Sequence, residues 1–193
     1  MSAPFVALAL SYCLGRGRIR LLGSRKRPWL EITRRETDLT YLLHQSRQLH
    51  KLHDGPLDLV IDTVQTDGFY DDRRLRCHGE GLYRVYELLY PRDTYTISDD
   101  LLDIAGHRGI VSLWCDKGRI RNNRYEIPFG TRARNYADTR MVRRWLRRLG
   151  YAPDQFNQIG RDRCIRFSGC NADDFARRLR PQLPRHRVAS LRR

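Results

Sequence analysis

The stretch ALSYCLGRGRIR, residues 9–20, is echoed about one hundred residues later by VSLWCDKGRIR, residues 111–121. In both stretches an apolar, helix-like run ends near a glycine and leads into an Arg-Ile-Arg sequence. A strand-like segment follows each one, residues 29–32 and residues 125–127. Self-similarity at a fixed spacing indicates a duplicated structural unit. The sequence therefore predicts a chain built from two related halves.

Each half continues with the same succession of elements. An amphipathic helix follows the strand-like segment, and its apolar residues recur at helical spacing. These residues are Leu39, Leu42, Leu43 and Leu49 in the first half, and Val142, Trp145, Leu146 and Leu149 in the second. Two further strands and a closing helix come next, and the closing helices end at Pro91 and Pro181. Each half is therefore predicted to be α-β-β-α-β-β-α.

This succession sets the predicted domain boundaries. The first repeat covers residues 1–95, the second repeat covers residues 96–184, and the joint lies within residues 91–103. Residues 185–193 carry several arginines and are interpreted as a basic C-terminal tail. Such a tail is expected to be disordered unless a polyanion holds it.

The net charge indicates the class of partner. The chain of 193 residues carries 37 Lys and Arg against 22 Asp and Glu, a formal charge of +15. A protein this basic is expected to face a polyanion, either nucleic acid or an anionic membrane surface. Only three of the basic residues are lysines, and arginine binds phosphate bidentately and stacks on bases. A GC-rich gene would produce the same arginine bias, so the net charge is the stronger observation.

Motifs for cofactors and metals are missing from the sequence. The five cysteines form no CxxC pair, and His50, His53, Cys77 and His78 complete no metal-ligand spacing. Free thiols, no metal and no cofactor are therefore predicted. The absence of a phosphate loop, dinucleotide turn or nucleophile motif argues against a small-molecule enzyme. The apolar run at residues 5–14 is shorter than the ~20 residues that cross a bilayer, so we expect a core helix and no membrane partner.

Taken in order, these segments resemble the LAGLIDADG homing endonucleases and maturases of the single-chain, two-repeat branch. Residues 9–17 resemble the first motif helix of that family, and residues 111–118 resemble the second. The linker into the second motif is matched by residues 87–91 and 97–102, and the closing strand and helix by residues 165–181. The resemblance implies an α+β fold of two pseudo-twofold related αββαββα repeats. In that fold the two motif helices pack together, and two antiparallel sheets form a saddle for the major groove.

The motif ends depart from the family at the positions that carry its chemistry. In active members an acidic residue precedes the final glycine of each motif, and the two carboxylates hold a divalent metal beside the scissile phosphates. Arg16 and Lys117 stand at these positions here, where they would repel a metal and attract phosphate. The sequence therefore predicts an inactivated endonuclease scaffold that is not an enzyme. Asp116, one position earlier, is expected to have a structural role at the helix end.

Binding is then the predicted function, because arginine and aromatic side chains on the saddle strands can contact phosphates and stack on bases. The candidate nucleic-acid-binding residues are Arg16, Arg18, Arg20, Arg25, Arg27, Trp29, Arg34, Lys117, Arg119, Arg121, Arg124, Arg132 and Arg134. RNA is preferred over DNA on the arginine excess and the family context. The expected role is a structural or assembly component of an organellar ribosome or other ribonucleoprotein, with further proteins as partners. A mitochondrion is favoured over a chloroplast. An intron-splicing cofactor, a sequence-specific DNA-binding protein and a residual endonuclease remain alternatives.

Overall fold

The computed structural model describes residues 3–65, 71–129, 139–159 and 162–191. The first half contains α1 (Ala3–Leu14), β1 (Arg18–Leu22), β2 (Arg27–Arg35), α2 (Leu39–Leu52), β3 (Asp58–Val64), β4 (Asp72–His78) and α3 (Gly81–Leu89). The second half contains α4 (Asp99–Lys117), β5 (Arg119–Arg121), β6 (Arg124–Phe129), α5 (Thr139–Arg148), β7 (Gln155–Ile159), β8 (Asp162–Phe167) and α6 (Gly169–Leu179). The order of elements is the same in both halves.

The strands form two four-stranded antiparallel sheets of the same topology. The first sheet has the order β1-β2-β4-β3, and the second has the order β5-β6-β8-β7. The pairing is equivalent as well, because Arg18 lies opposite Glu31 in the first sheet and Arg119 lies opposite Glu126 in the second. The predicted α+β fold with two antiparallel sheets is confirmed. The domain boundaries at residues 95/96 and 184/185 stay a prediction.

The core is centred on the packing of α1 against α4. Nearly every residue of α1 from Phe5 to Leu14 is buried, which is expected of a helix that is apolar on all sides. Ser11 stabilises the contact between the helices, because its hydroxyl donates to Ala7 O at 2.6 Å and also lies 3.3 Å from Ala105 O on α4. A Cβ at Gly109 would lie only 3.0 Å from Leu14 Cδ1. Small residues thus allow the close approach of the two motif helices that the family resemblance implied.

The segment before the second motif is helical, in contrast to the linker interpretation of residues 97–102. Ser98 caps α4 by accepting a hydrogen bond from Leu101 N at 3.2 Å, and Asp99 and Asp100 favour the positive end of the helix dipole. Gly106 interrupts the helix with φ +52° and ψ −142°, a conformation that glycine adopts without steric cost. The second motif therefore occupies the distal part of a helix that bends at Gly106.

The end of the chain is docked and ordered, so the prediction of a disordered basic tail was wrong for residues 185–191. This C-terminal segment, Arg185–Leu191, forms a 3-10 helix that contacts both halves. In the first half Arg187 pairs with Asp38 at 2.7 Å. In the second, Ser190 accepts from Trp114 Nε1 at 3.0 Å, and the Tyr125 hydroxyl donates to Leu191 O at 2.8 Å. Burial of the Leu191 side chain drives the docking.

Within the described residues, no helix has the length and apolarity required to cross a membrane. The same residues include no group of three or more His, Cys, Asp or Glu side chains arranged to hold a metal ion.

Two histidines meet where the C-terminal segment lies on α2. The rings of His44 and His186 have centroids 5.8 Å apart, and His186 also lies 5.7 Å from the Tyr41 ring. Burial lowers the pKa of both histidines, and repulsion between the two rings lowers the pKa of His44 further. The nearby charged groups are Arg47 and Arg187, which act in the same direction, and Asp38, which opposes them at His186.

These shifts predict an acid-sensitive contact. The unfolded chain takes up protons below its histidine pKa of about 6.5, while the folded protein resists protonation until a lower pH. Stability should therefore fall as the pH decreases through and below about 6.5. The measurement is the free energy of unfolding in urea from about pH 7.5 to about pH 5. The double variant His44→Gln/His186→Gln should flatten this dependence, and His50→Gln, on the exposed side of α2, should not. If the free energy of unfolding of the double variant fell equally steeply with decreasing pH, His44 and His186 would not be the cause of the acid sensitivity.

Candidate nucleic-acid interface

The ends of the two motif helices meet between the sheets. The Arg16 backbone N–H donates to Asp116 Oδ2 at 2.7 Å, and Lys117 Nζ donates to Leu14 O at 3.3 Å. Each motif thus bonds to the last turn of the other helix. A Cβ at Gly15 would collide with Oδ2 of Asp116, so this glycine makes room for the carboxylate. We call residues 15–17 and 116–118 the motif floor.

Asp116 is the residue of the motif floor that belongs to a buried network. Its carboxylate pairs with Arg34 of β2, and the side chains of Asp116 and Arg34 are 0% and 1% exposed. Arg34 Nε also donates to Gln45 Oε1 at 2.8 Å, and its guanidinium lies 4.2 Å from the centroid of the Tyr41 ring. The structural role expected of Asp116 is confirmed. The same network corrects the prediction for Arg34, which faces the core and cannot contact nucleic acid.

The motif floor does not fit a divalent metal in the manner of the family. Magnesium and calcium need several oxygen ligands, usually from carboxylates. The described residues of the motif floor supply one carboxylate, Asp116, and both of its oxygens are engaged by Arg34 and by the Arg16 backbone. The exposed group at this place is the side chain of Arg16. No metal-dependent step follows from this arrangement.

The buried pair predicts a large effect on stability. Arg34→Ala or Asp116→Ala leaves one uncompensated buried charge, which is expected to reduce the free energy of unfolding by about 3–5 kcal/mol. The double variant should lose less than the sum of the two single losses, because neither charge is then buried alone. Urea unfolding of the four proteins gives the coupling energy. The control is Arg148→Ala, which removes exposed pairs with Asp99 and Asp103 and should change stability little. Additive losses at Arg34 and Asp116 would contradict the pairing.

Each sheet presents one face to solvent, opposite the apolar core, and we call it the saddle face. In the first sheet Ile19, Leu30, Ile32, Leu75 and Cys77 are buried on the core side. Because side chains alternate along a strand, the residues between them occupy the saddle face. They include Arg18 and Arg20 of β1, Arg27, Trp29 and Glu31 of β2, and Arg74, Arg76 and His78 of β4.

Carboxylates moderate the positive charge of this first saddle face. Asp62 of β3 pairs with Arg74 at 2.9 Å and with Arg76 at 2.7 Å. The hydrogen bonds from Arg74 are the main cause of the lowered pKa of the Asp62 carboxyl, and Arg76 contributes further. Trp29 stacks on His78 with ring centroids 5.4 Å apart. The first saddle face is therefore a mosaic of ion pairs with an aromatic stack on β2 and β4.

The second sheet repeats this organisation. Tyr125, Ile127, Ile165 and Phe167 are buried in the core. The described residues that alternate with them on the saddle face include Arg119 and Arg121 of β5, Arg124, Glu126 and Pro128 of β6, and Arg166 and the buried Cys164 of β8. Glu126 pairs with Arg119 at 3.1 Å and with Arg166 at 3.0 Å.

Most of the residues predicted to bind nucleic acid lie on these surfaces. Arg18, Arg20, Arg27, Trp29, Arg119, Arg121 and Arg124 lie on the saddle faces, Arg25 is exposed in the β1–β2 turn, and Arg16 and Lys117 belong to the motif floor. Arg132 and Arg134 lie outside the described residues. Whether these residues bind nucleic acid stays a prediction.

The residues predicted from the sequence do not include Arg74, Arg76 and Arg166, nor the buried Glu31 and Glu126. The alternation of Arg74, Arg76 and His78 with Leu75 and Cys77 was the available signal for the first group. Each of the two glutamates also lies within an alternating strand. The sequence does not predict their burial, because a single acidic residue among arginines is normally exposed.

Comparison with solved structures identifies proteins that share this fold. No protein-family model matches the chain, and no curated protein sequence matches it. Among solved structures, the homing endonuclease I-WcaI bound to its DNA recognition sequence matches with a TM-score of 0.73 and 13% identity, over 99% of this chain and 87% of that one. The homing endonuclease I-DmoI in complex with DNA and Ca matches with a TM-score of 0.62 and 19% identity, over 97% of both chains. The N-terminal LAGLIDADG domain of DUF199/WhiA matches with a TM-score of 0.52 and 12% identity, over 100% of this chain and 88% of that one.

The chain therefore has the LAGLIDADG fold, and the resemblance drawn from its two motifs is confirmed at the level of fold. The prediction that the chain is not an enzyme is contradicted by the same comparison, because the matched structures include homing endonucleases with bound DNA. Arg16 and Lys117 change the charge of the motif floor, but loss of nuclease activity is not shown by that change.

Proposed function

We propose that the chain binds nucleic acid across its two saddle faces, with duplex DNA as the primary ligand. The observation that supports this most directly is the matched pair of sheets, each with exposed arginines at equivalent positions on the face opposite the core. The fold is shared with endonucleases whose structures contain DNA. A net charge of +15 favours a polyanion as the occupant of these faces.

Binding of this kind depends on phosphate contacts for affinity. Each phosphate neutralised by arginine releases condensed counterions, which makes affinity fall as salt rises. Arg25 and Arg27 of the first half and Arg121 and Arg124 of the second are exposed toward the ends of the β1–β2 and β5–β6 hairpins. They are the side chains to which we assign backbone contacts in the two halves of the duplex.

We expect the variant with Gln at residues 25, 27, 121 and 124 to bind duplex DNA more weakly at low salt. The slope of log affinity against log salt should decrease by about 0.9 for each phosphate that the variant no longer neutralises, about 3 to 4 in all. Titration of a labelled duplex at several salt concentrations measures both quantities. The control is Arg144→Gln/Arg148→Gln on α5, where the arginines pair with Asp99 and Asp103. An unchanged slope in the fourfold variant would refute the saddle-face assignment.

That the chain binds RNA in preference to DNA stays a prediction, and it can be tested separately. The arginine excess and the Trp29–His78 stack support RNA, because guanidinium planes and aromatic rings stack on unpaired bases. A role in an organellar ribonucleoprotein with protein partners, mitochondrial in location, is supported only by the family resemblance. Competition of structured RNA against duplex DNA for the same protein separates the two ligands.

Endonuclease activity is the second candidate function, because proteins of this fold with bound DNA are homing endonucleases. On this candidate, a supercoiled plasmid carrying a duplex selected for tight binding should become nicked or linear when magnesium or manganese is added. On this candidate the product should require the divalent cation and should not form with a chelator, and residues other than those of the motif floor would have to hold the cation. A plasmid that stays supercoiled with bound protein in excess would remove this candidate and leave the binding proposal intact.

A further inference from the structure

We propose that Arg187 of the C-terminal segment is a positioning residue for the motif floor and acts on it through Tyr41 and Arg34. These three side chains and the Asp116 carboxylate form a continuous series of contacts, which runs from the end of the chain through the core of the first half to the second motif helix. The effect expected on duplex binding rests on the proposed function, whereas the effect on the motif floor does not.

The Tyr41 ring is the shared partner of two guanidinium groups. Arg34 lies 4.2 Å from the ring centroid, and Arg187 lies 4.7 Å from it. Tyr41 is only 3% exposed, and a cation–π interaction is strongest where water is excluded. Arg187 is also held by its ion pair with Asp38, directly before α2. Because both cations contact one ring, displacement of Arg187 alters the surroundings of Arg34.

Arg34 connects the ring to the second motif helix. Its guanidinium pairs with one oxygen of the Asp116 carboxylate, deep in the core. The other carboxylate oxygen accepts the hydrogen bond from the Arg16 backbone N–H. A buried charge that loses its partner is strongly destabilising, so the carboxylate is expected to follow the guanidinium when it shifts. A shift of Arg34 therefore weakens the hydrogen bond at Arg16.

This series of contacts lies on the side of the first sheet away from the saddle face. Side chains alternate along β2, and Arg34 projects to the same side as the buried Leu30 and Ile32. Tyr41 and Arg187 pack on Arg34 from that side. A duplex lying on the saddle faces does not reach Arg187, so an effect of Arg187 on duplex binding is indirect.

The C-terminal segment is held by few polar contacts, so its docking can open locally. Within the part of the chain that the structure describes, Arg187 Nε is buried without a hydrogen-bond partner, and such a donor costs free energy. Arg185, His186 and Ala189 of the segment are exposed. Segments with few buried contacts open at a lower free energy than the core. Opening removes one cation from the Tyr41 ring and leaves the motif floor less restrained.

Amide hydrogen exchange of the full chain measures this link directly, because the Arg16 N–H is the last donor in the series. The reference is the Leu75 N–H in β4, which pairs with β2 on one side and with β3 on the other and reports global opening. In Arg187→Met, which keeps the length of the side chain without its charge, protection of Arg16 relative to Leu75 should fall about fivefold to tenfold. This range is the lower end of a typical coupling between two sites.

The control and the rescue variants separate charge on the ring from other effects. Arg185→Met removes the same charge from an exposed position of the same segment and should leave the relative protection of Arg16 unchanged. Arg187→Lys restores a cation beside the ring and should recover most of the protection. Tyr41→Phe keeps the aromatic face and should resemble the wild type, whereas Tyr41→Leu removes it and should resemble Arg187→Met.

Titration of a labelled duplex then distinguishes positioning from direct contact. Arg187→Met should bind the duplex about fivefold more weakly at every salt concentration. Its slope of log affinity against log salt should equal that of the wild type, because no phosphate contact is lost. A direct phosphate contact would instead reduce the slope by about 0.9.

The outcomes are distinguishable. Unchanged relative protection of Arg16 in Arg187→Met would overturn the positioning role, and so would an equal loss in Arg185→Met. A reduced salt slope in Arg187→Met would also overturn it, in favour of a direct contact. Failure of the wild-type protein to bind any duplex would refute the proposed function, while the exchange measurement would still decide whether Arg187 positions the motif floor.

Discussion

The close packing of α1 against α4 is the constraint on which the rest of the structure depends. Each of these helices delivers the chain directly into the first strand of its own sheet, so their contact fixes how the two sheets are placed. The contact requires small residues, and Ser11, Gly15 and Gly109 meet this requirement at successive levels. A bulky side chain at any of these levels would separate the helices and with them the two saddle faces.

The buried Asp116–Arg34 pair adds a specific link to this apolar contact. Asp116 belongs to the second motif helix, whereas Arg34 and the Arg16 backbone belong to the first half. Apolar packing alone would tolerate small shifts along the helix axes, because dispersion forces have little directionality. A charge pair with defined hydrogen bonds selects one register. The carboxylate of the motif floor is therefore occupied in joining the halves.

Much of the fold could be predicted from the sequence because periodicity reports burial. The helical spacing of Leu39, Leu42 and Leu49 and the repeated Arg-Ile-Arg strands located the elements of both halves. Arg34 was misplaced because a charged residue at an alternating position is normally solvated, and its partner Asp116 lies far away in the chain. Val188 and Leu191 were overlooked among arginines in the same way, although they contribute the apolar surface that docks the C-terminal segment. Pairings over long sequence distances have no local pattern, which is why the Arg34–Asp116 and Arg166–Glu126 pairs emerged only from the structure.

The C-terminal segment also breaks the equivalence of the two halves. It extends from the second half, and Arg187 reaches Asp38 and lies 4.7 Å from the Tyr41 ring centroid in the first. No matching extension can leave the first half, since the chain there continues into α4. A homodimer of a single repeat could not reproduce this molecule, because its two identical subunits would either both lack the C-terminal segment or both carry it. Because the two repeats belong to one polypeptide, the two halves are not equivalent. A ligand that lies across both sheets therefore meets a different half at each of its ends.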